Sequence, residues 1–151
     1  GWGHLWKAAV TNPVGLTLTQ SGKPIAAYFS SSSGGLTETA GNAWGTQRGY
    51  TQSVPDLSSL DPVLNPRFYR WDREITQASV AAAFLLPDVV TLEIVTKNAT
   101  GTVGTIRATS STGIQKSLRG ETFRSRTKIP SAYFDLVGVQ NAVEPTPTTS
   151  P

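Results

Sequence analysis

The chain has 151 residues, enough for one domain with a sizeable apolar core, and no apolar run near the roughly 20 residues that a membrane-spanning helix needs. It has no cysteine, no methionine and one histidine, His4, which excludes a disulfide framework, a thiolate nucleophile and a cysteine metal site. The net charge of +3 and the isoelectric point near 9.5 suit an anionic polymer, but the basic residues are scattered rather than clustered, which argues against nucleic acid.

Only 15% of the residues are charged, while Ser, Thr, Gly and Pro are plentiful, a mix that favours strands and turns. Residues 16–19 and 24–30 flank Gln20-Ser21-Gly22-Lys23 and predict a hairpin. Residues 31–66 form a long Gly-, Ser-, Pro- and Asn-rich stretch, expected to be functional or held down by Trp44 and Tyr50. Tyr69, Trp71, Arg73 and Ile75 alternate with polar positions and predict a strand. Thr76 reads as the N-cap of a helix over 77–86, ended by Pro87. Alternating Val90, Leu92 and Ile94 predict a strand, Asn98 to Gly101 a turn, and 103–109 and 114–118 two further strands of a three-stranded antiparallel meander. Residues 120–126 are short and polar apart from Phe123, and 132–139 predict a last strand. The expected fold is α+β, predominantly β, with antiparallel hairpins, a meander and one short helix near 77–86. Residues 1–140 form the domain, and the Pro/Thr-rich 141–151 read as a disordered tail or linker. Asn98-Ala99-Thr100 matches a glycosylation sequon, a tripeptide common by chance. Lacking any methionine, the chain reads as a processed product or a fragment of a longer protein; it shows no signal peptide.

The most distinctive stretch is 27–38, Ala-Tyr-Phe-Ser-Ser-Ser-Ser-Gly-Gly-Leu-Thr-Glu. Four hydroxyls and two glycines follow a short apolar run with no spacer. Glycine admits φ > 0 and lets a ligand come close, and hydroxyls that donate and accept suit sugars. The same composition also makes a plain polar turn at a strand end.

The order of motifs resembles the C-terminal part of the SpoIID/LytB family, the stage II sporulation protein D and amidase-enhancer-like proteins. The resemblance begins at Ala8-Ala9-Val10-Thr11 and Gly15-Leu16-Thr17-Leu18, similar to the family's strand entry. It continues through Gly22 to Phe29, Gly34-Gly35-x-Thr37-Glu38, Trp44-Gly45, Tyr50, Ser53-Val54 and Asp56. In the second half it rests on Trp71, Ile75-Thr76 before a short helix, a hairpin at 101–106, and Gly120-x-x-Phe123-Arg124 followed by Ile129-x-Ser131-x-x-Phe134. It spans roughly residues 8–138.

The resemblance implies cell-wall work outside the cytoplasm of a bacterium: a module that binds or remodels peptidoglycan glycan strands, like part of a lytic transglycosylase active in sporulation. In that chemistry a carboxylic acid protonates the glycosidic oxygen and the sugar's C6 hydroxyl closes on C1. The family's proposed catalytic glutamate lies in an upstream helix that this chain does not contain. No catalytic residue is therefore expected here unless Glu38 stands in, and another polypeptide segment is a candidate partner to supply the missing helix. The alternatives are a non-catalytic amidase enhancer or wall-binding module, and a structural assembly subunit that uses an open groove as its interface. No cofactor and no metal are expected, since serines stand where some relatives place metal ligands.

The expected substrate-binding residues are Ser32, Ser33, Gly34, Gly35, Thr37, Glu38, Trp44, Tyr50 and Arg124. Each has a structural alternative. The hydroxyls can satisfy loop amides, Glu38 can cap a turn, and Trp44 and Tyr50 can act as lids over a small core. Arg124 can grip a sugar carboxylate or pair with Glu121. Asp56 and Asp61 read as turn residues, Glu74 and Glu93 as solvent-facing strand residues, and His4 as a terminal residue.

Overall fold

A computed structural model of the chain describes residues 3–12 and 16–138. It is an α+β fold with two antiparallel sheets and modest strand content. In chain order the elements are α1 (Gly3–Thr11), β1 (Thr19–Gln20), β2 (Lys23–Pro24), α2 (Ala40–Trp44), a 3-10 turn (Leu57–Leu60), α3 (Gln77–Phe84), β3 (Thr91–Lys97), β4 (Val103–Thr109), β5 (Gln115–Arg119) and α4 (Gly120–Thr127). The expected tail at 141–151 lies outside the described residues.

The core belongs to the second half. The three-stranded sheet has order β3-β4-β5. Leu92 pairs with Ala108, and Ile106 pairs with both Ile94 and Leu118, so alternate residues of all three strands share one face. Helices α3 and α4 cover that face with Val80, Ala81, Ala83, Phe84 and Phe123. The Phe123 ring centroid lies 5.9 Å from that of Phe84 and 5.7 Å from that of Phe134, both tilted contacts.

Helix α3 is stapled at both ends. Thr76 Oγ1 accepts the Ser79 amide at 3.2 Å. The chain reverses at Leu85 (φ 55°), before Pro87 is reached, and the Leu86 amide returns to the Ala81 carbonyl at 3.0 Å. Arg126 and Lys116 donate to the outgoing carbonyls of Ala83 and Leu85.

The polar stretch at 120–127 is a helix, α4. It starts straight from β5, with Glu121 in its first turn and Arg124 and Arg126 in its last, so both charges suit the helix dipole. Gly120 permits the junction: a Cβ there would stand 2.0 Å from the Val103 carbonyl oxygen.

Two expected strands are not strands. Among the described residues, 69–75 and 132–138 have no ladder partner, although Trp71, Ile75 and Phe134 pack against the core. Val139 lies outside the described residues. Residues 8–11, expected as part of a strand entry, belong to helix α1, whose Leu5 and Val10 are exposed. The first hairpin is real but only two residue pairs long, Thr19 with Pro24 and Gln20 with Lys23.

The long segment 31–66 is held by polar contacts rather than apolar burial. A single bridge joins Leu36 and Pro55, and the Thr37 and Asp56 amides donate to the Val54 and Gly35 carbonyls, both at 2.9 Å. Ser131 Oγ donates to the Ser32 carbonyl at 2.7 Å and ties this layer to the chain beyond α4.

Candidate functional site

The residues singled out in the Ser-Gly-Gly run separate into three environments. Ser32 and Ser33 are buried. Ser33 Oγ lies 2.8 Å from Asp56 Oδ2 and 3.0 Å from Ser59 Oγ, and the Gly35 amide donates to both serine hydroxyls, at 3.3 Å to Ser33 and 3.0 Å to Ser59. The hydroxyl of Ser33 therefore serves the chain itself. Asp56 and Ser59 complete this knot; they stand 23 and 26 residues away, with no local pattern to announce them.

The glycines admit a close neighbour, and that neighbour is a side chain of the same molecule. Gly34 has φ +74°, and a Cβ there would lie 2.3 Å from Tyr133 Cγ. Leu60 covers Gly35. Ser32, Gly34 and Tyr133, with Tyr69, Trp71 and Phe134, line a groove of about 970 Å³ that reaches down to core residues.

Glu38 is a clamp. One carboxylate oxygen accepts the Thr39 amide at 2.7 Å and Asn42 Nδ2 at 2.8 Å, at the start of α2. The other accepts Asn98 Nδ2 at 3.1 Å, Thr100 Oγ1 at 2.5 Å and Thr102 Oγ1, all from the β3–β4 turn. Burial pushes the carboxyl up, but the bonds from Thr100, Thr102, Asn42 and the Thr39 amide outweigh it and hold it below the ordinary carboxylate value. A group so held is a poor proton donor, since a general acid at neutral pH needs its pKa raised. The sequon at Asn98 has its carboxamide nitrogen engaged by Glu38 and Thr102.

Trp44 ends α2 and is 52% exposed, outside the apolar core. Its ring lies 4.5 Å, centroid to centroid, from that of Tyr28, which is 46% exposed, at an interplanar angle of 37°. Ala40, Thr46 and Arg48 complete a shallow cleft of about 300 Å³ around the pair. The Arg48 guanidinium has no partner among the described residues. Tyr28 and Arg48 are the residues that sequence reasoning did not place with Trp44. Tyr28 adjoins the Ser-rich run, but nothing in its spacing marks it as a ring partner.

The remaining candidates lie elsewhere. Thr37 Oγ1 accepts the Val54 amide at 2.9 Å, and Tyr50 OH accepts the Ala26 amide at 3.4 Å. Arg124 pairs with Glu121 at 2.7 Å on α4, the structural alternative for that residue. Among the described residues no group of three or more His, Asp or Glu side chains is gathered to hold a metal ion. Among them too, no helix is long and apolar enough to cross a membrane. Comparison with protein-family models, curated proteins and solved structures finds no match to this chain.

Proposed function

We propose that this chain is a module that binds peptidoglycan glycan strands at the surface of a bacterium, without cutting them by itself. The observation that carries the reading is the exposed Tyr28–Trp44 ring pair beside Arg48, whose guanidinium is unpartnered among the described residues. Aromatic rings that stand outside the core and face water offer flat apolar area to a sugar face, and a guanidinium suits a carboxylate. The ordered motif resemblance supplies the substrate class. Binding is favoured over cleavage because Glu38, the carboxylate nearest the Ser-Gly-Gly run in sequence, is held ionised by five donors.

Stacking one sugar on Trp44 covers on the order of 60 Å² of apolar ring, or about 1.5 kcal/mol and roughly tenfold in affinity. Purified, peptide-free glycan strands test this. The wild-type chain binds them, Trp44→Ala weakens binding by about that factor with an unchanged thermal midpoint, and mass spectrometry finds no anhydro-terminated product. No binding by the wild type ends the proposal, and anhydro ends would transfer it to the enzyme reading.

A second reading concerns the larger groove. It runs past Val89 to Leu92 at the entry to β3, an outer strand with one ladder partner among the described residues, and its lining includes Phe123 and Ile129. An apolar lining beside an outer strand favours a polypeptide segment as occupant, by strand or helix addition. Crosslinking from a cysteine placed at Thr91 tests it: capture of a peptide segment supports the reading, and capture of glycan alone removes it.

A further inference from the structure

We propose that Glu38 is the positioning residue of the Tyr28–Trp44 platform, setting where the Trp44 ring stands without touching the glycan. The inference rests on the glycan-binding reading above and names what orients that site.

Helix α2 has only five residues, too short to hold its shape by its own hydrogen bonds. Its one buried side chain is Ala40, so apolar packing fixes it weakly. Polar contacts fix it instead. Thr39 caps the Asn42 amide at 3.2 Å, Gln47 Oε1 accepts the Gly41 amide at 2.9 Å, and Arg119 reaches the Gly41 and Asn42 carbonyls at 3.4 Å. Arg119 reaches α2 from β5 only at 3.4 Å, whereas Glu38 makes short bonds both to its first turn and to the β3–β4 turn. One oxygen serves Thr39 and Asn42, and the other serves Asn98, Thr100 and Thr102 in the β3–β4 turn.

Trp44 is the last residue of the same helix, and its ring meets Tyr28 rather than the core. A single helical turn moves as one body, so a shift at its start is carried to the Trp44 Cα. All five groups facing Glu38 donate. A glutamine would turn an N–H₂ towards one set: the Thr100 and Thr102 hydroxyls can rotate to accept from it, but Asn98 Nδ2 on that side, and the Thr39 amide and Asn42 Nδ2 on the other, cannot, and an aspartate is one methylene too short to span both elements. Both the charge and the length of Glu38 are therefore required.

The test uses the full chain with Glu38→Gln, Glu38→Asp, Trp44→Ala and the double variant Glu38→Gln/Trp44→Ala. Amide exchange at Asn42 and Ala43 is expected to speed up about tenfold in both Glu38 variants while Ile106 and Ala108 in β4 keep their protection. The Trp44 indole N–H resonance, assigned by its loss in Trp44→Phe, should shift. Affinity for peptide-free glycan strands should fall about five- to tenfold in each Glu38 variant, and the double variant should bind no more weakly than Trp44→Ala alone. Additive losses would mean that Glu38 acts on the glycan independently of Trp44. Unchanged exchange in α2, or loss of protection spread equally through the sheet, would also overturn the proposal. If the wild type binds no glycan, the functional reading fails, while exchange and the indole resonance still decide whether Glu38 positions Trp44.

Discussion

Replacing Gly34 by alanine tests whether the Ser-Gly-Gly run exists to admit a side chain of this molecule. Two costs are expected. The φ of +74° puts alanine in the left-handed region, at roughly 1–2 kcal/mol. The new Cβ would also stand 2.3 Å from Tyr133 Cγ. A comfortable carbon contact is about 3.6 Å, so the ring must move by more than about 1 Å. Tyr133 is 42% exposed and can swing outward. Doing so gives up its covered side, about 100 Å² at most, or roughly 2 kcal/mol. Gly34→Ala should therefore cost about 3 kcal/mol in total. Removing the ring first separates the two terms. In a Tyr133→Ala background, Gly34→Ala should cost only the backbone part, leaving a coupling of about 1–2 kcal/mol. Urea unfolding of the four proteins at pH 7 reads this from the midpoints, given an unchanged slope. An equal cost of Gly34→Ala with and without Tyr133 would refute the steric argument. A cost below about 0.5 kcal/mol would refute the backbone argument as well.

Phe123→Ala should destabilise by about 3–5 kcal/mol in urea unfolding, because its ring joins Phe84 to Phe134 at the centre of the core. Leu85→Gly should raise stability by roughly 1 kcal/mol, visible in the thermal midpoint, since Leu85 is exposed and holds a left-handed conformation. The Glu38 carboxyl has a folded-state pKa below its unfolded value, so its contribution is complete above the unfolded pKa and is lost as pH falls through the folded one. The stability advantage of wild type over Glu38→Gln should thus hold at neutral pH and shrink below about pH 4. A gap independent of pH between 7 and 3 would contradict the clamp.

What could be read from the chain was what local signals encode. Thr76 with the Ala-rich run after it marks α3 because capping and helical propensity are properties of a few adjacent residues. The meander was legible because Leu92 and Ile94 keep a period of two in β3 and a clear turn at 98–101 precedes the β-prone runs that hold Ile106 and Leu118. Helix α4 was hidden because only Phe123 among its residues is apolar, and one residue has no period. Residues 69–75 alternate like a strand but have no neighbour to pair with among the described residues, and pairing is a tertiary fact that alternation does not contain. The site divides in the same way. The Ser-Gly-Gly run stood out by composition, yet the partners that decide its role, Asp56, Ser59 and Tyr133, lie far along the chain. Trp44 was visible as a candidate, but its pairing with Tyr28 comes from the placement of a helix too short to predict.

The unequal sharing of the interior has a consequence for how this sequence can drift. Apolar interiors forgive exchange among residues of similar bulk, since contact area matters more than identity. Residues 16–70 supply only Ala40 to the buried apolar set, and they are fastened through Ser33, Asp56, Ser59 and Glu38. Those fastenings depend on atom type and reach, so few replacements preserve them. In this half the usual expectation inverts: Leu57, Val63 and Leu64 are free to vary, while small hydroxyls and carboxylates are the positions that selection must guard.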